Sequence, residues 1–238
     1  MTTATLETPG SAGDFLRAGP DRLNHWIAAG PAQLAVSCVV AIVAGAGLFG
    51  GALGSWREPL QALYTGIKLP LVILLTTLGN GLLNAMLAPL LGLNVTLRQS
   101  LVVVLMSFAI ASLILGALSP VALFVVWNTP PLTTATSRLS QEHGFLQLTL
   151  ATFVALAGVL GNARLFPLLR DWAGSVTIAY KVLFAWLAVN LFLGSQICWL
   201  LRPFIWEPGA PVRFIGRDYL RGSFYETVFE AARRLIFP

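Results

Sequence analysis

Three neutral polar side chains interrupt a long apolar stretch of the sequence, where Thr76, Asn80 and Asn84 recur at four-residue spacing. In a helix this spacing puts all three on one face. Amide and hydroxyl groups at such positions can hydrogen-bond a neighbouring helix, or they can contact a solute or a lipid headgroup. We expect the helix contact and keep the solute contact as the alternative, and we give Asn190 and Gln196 the same interpretation.

The residue types needed for other chemistry lie elsewhere. All ten carboxylates, and both His25 and His143, fall outside the long apolar stretches. Proton- and sodium-coupled carriers usually need an ionisable group at depth, which the sequence does not predict here. Cys38 and Cys198 lie within apolar stretches, where a lone thiol usually behaves as a small apolar group. We therefore expect no catalytic residue, no metal site and no cofactor, and we expect the protein not to be an enzyme.

The composition excludes a water-soluble globule. Of the 238 residues, 56% are hydrophobic and 11% are charged, and the mean hydropathy is +0.77. Soluble domains have about 25% charged residues. Five nearly charge-free stretches are each long enough to cross a hydrocarbon core of about 30 Å: 31–54, 69–93, 100–127, 145–163 and 177–201. Because these stretches are continuously apolar rather than alternating, they predict helices and not barrel strands. The predicted fold is an all-α membrane bundle of about five transmembrane helices, with short interfacial amphipathic helices.

The flanking segments have different compositions. Residues 1–30 contain too little apolar surface to fold alone, so we expect a mostly disordered tail with an interfacial turn around Trp26. Between the first two spans, Leu60, Leu63, Tyr64 and Ile67 share a helical face after Pro59, which predicts a short helix in the headgroup plane. Residues 202–238 predict a membrane-apposed segment that ends in an amphipathic helix from about residue 223.

The first span is rich in glycine. Gly47 and Gly51, and likewise Gly50 and Gly54, have the small-xxx-small spacing that lets two helix backbones approach closely. We expect close packing against another span of the same chain, with a second subunit as the alternative partner.

Basic and aromatic side chains near the span ends are candidates for contact with lipid or with a partner. They are Arg57, Lys68, Arg202, Trp206, Arg213 and Arg217. Basic residues near a membrane surface attract anionic headgroups by roughly 1 kcal/mol per charge. A pI near 9.8 could also indicate nucleic acid, but the charges are dispersed along a membrane-embedded chain, so we exclude that partner.

Without the C-terminal tail, the distribution of Lys and Arg between the loops favours a cytoplasmic N-terminus; counting the tail reverses it, but long tails weigh less than short loops.

Two blocks of the sequence resemble a known group. The stretch GSWREPLQALYTGIKLPLVILLTTLGN and the later stretch GSQICWLLRPFIWEPGAPVRFIGRDYLRGSFYE are similar to an uncharacterised bacterial multi-spanning inner-membrane protein family. In that family a Q-A-L-Y segment precedes K-x-P, and a W-x-L-R-P-F-I block ends the last span. The five-span plan is distantly similar to the Ypt-interacting family of membrane-trafficking proteins. The resemblance implies a bacterial inner (plasma) membrane location and, by analogy, a scaffold role.

These observations lead to two functional hypotheses. The first is a non-enzymatic integral membrane protein that organises a partner complex or the local bilayer, with membrane lipids and a protein partner or a second copy of the chain as its partners. The alternative is a permease or flippase-like carrier of a neutral or lipidic solute that uses the Asn80 and Asn84 face. A continuous polar cavity that reaches Asn84 would favour the carrier, and a tightly filled core would favour the scaffold.

Overall fold

The computed structural model describes residues 14, 17–129, 136–202, 212–216, 222, 223, 225 and 226. These residues form seven helices: α1 (Pro20–Ala29), α2 (Pro31–Gly54), α3 (Pro59–Leu90), α4 (Leu97–Asn128), α5 (Thr136–Ala163), α6 (Phe166–Ala173) and α7 (Val176–Leu201). Five stretches are helical, long and apolar enough to cross a membrane, and the fourth, Ala151–Ala173, runs from α5 into α6. The predicted all-α membrane bundle is confirmed.

The three helices α2, α3 and α4 form the centre of the bundle, and each packs against the other two. Helix α5 packs on α4, and α7 packs on the opposite flank against α3. The burial pattern follows this order, since 56% of the apolar window of α4 is buried but only 17% of that of α7. The outer faces of the helices expose large apolar side chains, as is typical of surfaces that face lipid. Among these side chains are Val36, Met86, Phe124 and Leu191.

Helix α3 begins ten residues before the predicted second span. It is continuous from Pro59 to Leu90, so the expected separate helix in the headgroup plane is instead the first part of α3. Its polar side chains Gln61 and Thr65 are buried, whereas Leu60 and Leu63 are about half exposed. Surrounding lipid favours exposed leucines, and neighbouring protein can hydrogen-bond the polar groups. The apolar face that predicted an interfacial helix therefore faces outward from the bundle.

The expected disordered tail is wrong over α1. Leu23 and Trp26 of this helix are almost fully buried, and they belong to the same core cluster as Leu168 and Leu169 of α6. The side chain of Asn24 accepts a 2.7 Å hydrogen bond from the indole of Trp172. Helices α1 and α6 therefore form a cap at the end of the bundle where α2 and α7 begin. The residues before 14, together with 15 and 16, lie outside the described residues.

The remaining boundaries are close to the predicted spans, except at α5. Helix α4 begins with a capping box in which Thr96 and Gln99 exchange hydrogen bonds between side chain and backbone. Helix α5 begins at Thr136, nine residues before the predicted span. In the C-terminal segment the structure describes only short pieces around residues 212–216 and 222–226, so the predicted amphipathic helix lies largely outside the described residues.

Candidate functional site

The predicted polar face of α3 lies at its contact with α7. We call this contact the α3–α7 seam and define it by Thr76, Asn80 and Asn84 of α3 and Trp186, Asn190 and Gly194 of α7. The two helices run antiparallel, and each residue of α3 in the seam lies opposite one residue of α7. Asn80 bonds to Asn190, and Thr76 lies beside Gly194. Beyond the end of α3, Gly92 lies beside Ile178 in the same register. One helical turn from the Asn80–Asn190 pair, the same register puts Trp186 of α7 opposite Asn84 of α3. We call each such level of opposing residues a layer of the seam.

The two asparagines in the middle layer of the seam join the helices directly. The amide nitrogen of Asn80 donates a hydrogen bond to the amide oxygen of Asn190. Asn80 is fully buried, and Asn190 is half-buried. One turn away, the hydroxyl of Thr76 donates to the carbonyl of Val72 in its own helix at 2.6 Å, and its methyl group faces Gly194. This part of the face acts as a contact between helices.

The next layer of the seam is different. Asn84 is fully buried, and neither its amide nitrogen nor its amide oxygen has a hydrogen-bond partner among the described residues. The indole nitrogen of Trp186 and the amide oxygen of Asn80 are likewise buried and unpaired there. In hydrocarbon, a buried polar group without a partner costs several kcal/mol. The layer therefore contains hydrogen-bonding capacity that the helix contact does not use.

The four glycines predicted to pack closely on α2 differ in how much space surrounds them. A β-carbon added to Gly50 would lie 2.6 Å from the carbonyl oxygen of Thr65, and one added to Gly54 would lie 2.7 Å from Ala62. At Gly47 the nearest atom would be 3.3 Å away, and at Gly51 it would be 3.9 Å away, an ordinary contact. The partner is α3 of the same chain, and Gly50 and Gly54 are the positions where the backbones touch.

A second glycine contact joins α2 to α4, and the small-xxx-small spacing did not predict it. A β-carbon on Gly45 would collide with the carbonyl of Ser112, and one on Gly116 would lie 2.9 Å from the α-carbon of Gly45. Gly116 precedes Pro120 by four residues, as Gly66 precedes Pro70 on α3. Because proline has no N–H, each of these glycine carbonyls lacks its usual helical partner. Gly45, Gly50 and Gly54 therefore let α2 touch both neighbours at backbone distance.

Lys68 occupies a different environment from the one expected of an interfacial anchor. It lies within α3 and is only 2% exposed. Its ammonium group is 3.5 Å from the carbonyl oxygen of Arg213 and 5.2 Å from the centre of the Phe214 ring. The same ring packs edge-on against Tyr64 at 5.3 Å. Lys68 is therefore a buried ionisable side chain inside a spanning helix, and it contacts the C-terminal segment.

The other predicted contact residues are dispersed. Arg213 is exposed, and Arg57 and Arg202 are half-buried. Arg202 ends α7 in a left-handed conformation, and its guanidinium lies 5.0 Å from the centre of the Trp199 ring. Trp206 and Arg217 lie outside the described residues. Farther along, Tyr225 stacks on Phe192 and donates a 2.8 Å hydrogen bond to its carbonyl, so the C-terminal segment also touches α7.

In the described part of the chain, the side chains that could ligate a metal ion lie apart from one another. There, no group of three or more His, Cys, Asp or Glu side chains is placed to hold a metal ion. Cys38 and Cys198 are both free thiols. Comparison of the chain with family models, with curated proteins and with solved structures gives no match. Its five apolar spans make the protein an integral membrane protein.

Proposed function

We propose that this protein is a non-enzymatic scaffold of the bacterial inner membrane, with its N-terminus in the cytoplasm, that organises a partner complex or the local bilayer. The observation that supports the proposal is the closed centre of the bundle. Gly45, Gly50 and Gly54 of α2 lie against the backbones of α3 and α4, which leaves no space at these contacts even for a methyl group. A solute pathway between these three helices would have to separate their tightest contacts.

The surface that a scaffold would offer is the C-terminal segment. Its described pieces lie on α3 through Phe214 and on α7 through Tyr225. Arg213, which directly precedes Phe214, is exposed, and this suits an acidic partner surface or anionic headgroups. The sequence blocks that resemble the bacterial inner-membrane family include the part of α3 up to Asn80 and this segment, so the resemblance and the geometry favour the same surface.

The test combines partner retention with flux. Full-length protein is cross-linked in its native membrane and purified as wild type, as Phe214→Ala and as the control Trp127→Phe, whose side chain is exposed on α4. We expect Phe214→Ala to lose co-purifying proteins that wild type and control retain, and proteoliposomes of all three to show no glycerol flux above empty vesicles. Identical partner sets in all three preparations, or flux through the wild type, would contradict the scaffold proposal.

A carrier of neutral or lipidic solutes is the second candidate, and one observation favours it: the unpaired polar groups of Asn84 and Trp186 in the α3–α7 seam. A solute pathway commonly needs polar groups that are free to bind the solute, because buried polar atoms determine which solute is accepted. If the protein is a carrier, the double substitution of Asn80 and Asn84 by Leu should abolish flux while the fold and any bound partners survive.

A further inference from the structure

We propose that the α3–α7 seam is a binding site for a neutral, hydroxyl-bearing group, either the glycerol-type headgroup of an uncharged lipid or a free polyol. The proposal extends the second candidate function to a ligand class, but binding at the seam is measurable without transport. It is also compatible with a scaffold, which can hold a lipid without moving it.

Asn84 differs from polar residues of the spans that bond within their own helix. Thr77 on α3 donates to the carbonyl of Ile73, and Asn162 on α5 donates to that of Gly158. Such bonds to the preceding turn are the usual way in which a polar side chain is satisfied within a membrane helix. Asn84 makes no such bond and none across the seam, although it is fully buried.

The unpaired atoms of the seam include both hydrogen-bond donors and acceptors. The amide of Asn84 offers one donor group and one acceptor, Trp186 adds an N–H donor, and the amide oxygen of Asn80 adds an acceptor. None of the side chains that define the seam is charged. A hydroxyl both donates and accepts, so one or two hydroxyl groups match this set, whereas a phosphate would bring a charge that the seam does not neutralise.

Access to the unpaired atoms of the seam requires a movement of α7. Asn84, Asn80 and Trp186 are closed off from the surface in this conformation, so a ligand can enter only when α7 moves away from α3. Helix α7 is suited to such a movement because it has the smallest buried share of the five spans. Asn190 is half-buried, and the neighbouring Leu191 is 73% exposed, so the seam begins at the outer surface of the bundle. A lipid could therefore enter it from the side.

The experiment measures ligand retention by native mass spectrometry. Full-length protein is reconstituted in phosphatidylcholine nanodiscs with or without dioleoylglycerol, and in a parallel series with free glycerol added. We expect wild type to retain dioleoylglycerol, and Asn84→Leu and Trp186→Phe each to lower its affinity about tenfold, the effect of losing one or two hydrogen bonds. Trp186→Phe removes the N–H donor but keeps an aromatic ring, so it remains informative if Asn84→Leu does not fold.

Two matched variants serve as controls. Asn162→Leu removes an asparagine of α5 that is bonded within its own helix, and Trp127→Phe changes an exposed tryptophan of α4. Both should retain the ligand as wild type does. Retention of dioleoylglycerol that excess glycerol does not reduce identifies the lipid as the source of the hydroxyl, and competition by glycerol identifies a polyol site. Retention of neither probe, or equal retention by the seam variants and the controls, overturns the proposal.

A reversible cross-link tests the movement of α7. A β-carbon on Gly194 would lie 3.7 Å from the methyl carbon of Thr76, so positions 76 and 194 are direct neighbours across the seam and suit a cross-link between T76C and G194C. In a background that also has Cys38→Ala and Cys198→Ala, the oxidised protein should take up at least tenfold less added dioleoylglycerol than the reduced protein. Equal uptake in both states would overturn entry through this seam.

Discussion

The ammonium group of Lys68 and the carbonyl of Arg213 lie 3.5 Å apart, although 145 residues separate them in the chain. The ring of Phe214 lies beside the same ammonium group and on Tyr64, which makes a clasp of Lys68, Tyr64, Arg213 and Phe214. This clasp attaches the C-terminal segment to the side of α3. An ionisable residue within a spanning helix usually has such a partner, because an unpaired charge is costly there.

Substituting Lys68 by Met should release the C-terminal segment. The change removes the interaction with the Arg213 carbonyl and with the Phe214 ring but keeps a long apolar side chain in the buried position. We expect trypsin to cleave after Arg213 several times faster than in wild type, as followed by mass spectrometry of protein in liposomes. Lys181→Met, which changes an exposed lysine of α7, is the control. Unchanged cleavage in Lys68→Met would show that the clasp does not fix the segment.

Alanine substitutions along α2 should separate contact glycines from neutral ones. At Gly45 and Gly50 a methyl group would collide with the backbone of a neighbouring helix, so each change should destabilise the bundle by about 1–3 kcal/mol. Gly51→Ala should be neutral or slightly stabilising, because its β-carbon has ordinary space and alanine favours the helix. Thermal unfolding in detergent measures the difference, and equal melting temperatures for Gly50→Ala and Gly51→Ala would disprove close packing at Gly50.

The bond between Asn80 and Asn190 should be worth little to stability. Cross-helix hydrogen bonds in membrane proteins average about 0.6 kcal/mol in double-mutant cycles. We expect a coupling energy of roughly this size between Asn80→Leu and Asn190→Leu, measured by reversible unfolding of the two single variants and the double variant in mixed micelles. A coupling energy near zero would mean that the two amides do not interact in the folded protein.

The cap formed by α1 and α6 should depend on the pair Asn24 and Trp172. Trp172→Phe keeps the aromatic packing but removes the donor to Asn24, so the cap should lose about 1 kcal/mol. Amide hydrogen exchange in α1 should accelerate about fivefold, while exchange in the centre of α4 stays unchanged. Trp127→Phe again provides the control. Uniform acceleration throughout the bundle would instead indicate global destabilisation.

The sequence predicted the class of fold and most helix ends, because these depend on local composition. Pro31 and Gly54 bound the first apolar stretch in the sequence, and they also bound α2. The start of α3 was harder to predict, since Lys68 and Pro70 look like the end of a separate element. Both residues nevertheless lie inside the continuous helix α3. The C-terminal segment contacts the ammonium group of Lys68, and the carbonyl that loses its helical partner at Pro70 belongs to Gly66, next to α2.

Contacts between distant residues were beyond sequence reasoning. The burial of Trp26 depends on α6, about 140 residues later, and nothing near Trp26 in the chain indicates that helix. The four-residue spacing did place Asn80 and Asn84 on one face. It could not show that Asn80 would bond to Asn190 while Asn84 has no hydrogen-bond partner among the described residues, because that difference depends on the register between α3 and α7.

The lengths of the central helices affect how the protein sits in a bilayer. Helices α3 and α4 have 32 residues each and α2 has 24, which correspond to about 48 Å and 36 Å. A hydrocarbon layer of about 30 Å, or about 40–45 Å with its headgroups, is thinner than the two longest helices. Tilting by roughly 20–30° would bring them within the headgroup boundaries, inside the usual range of tilts. Since α2 is in backbone contact with both of them through its glycines, the three helices must tilt as one body.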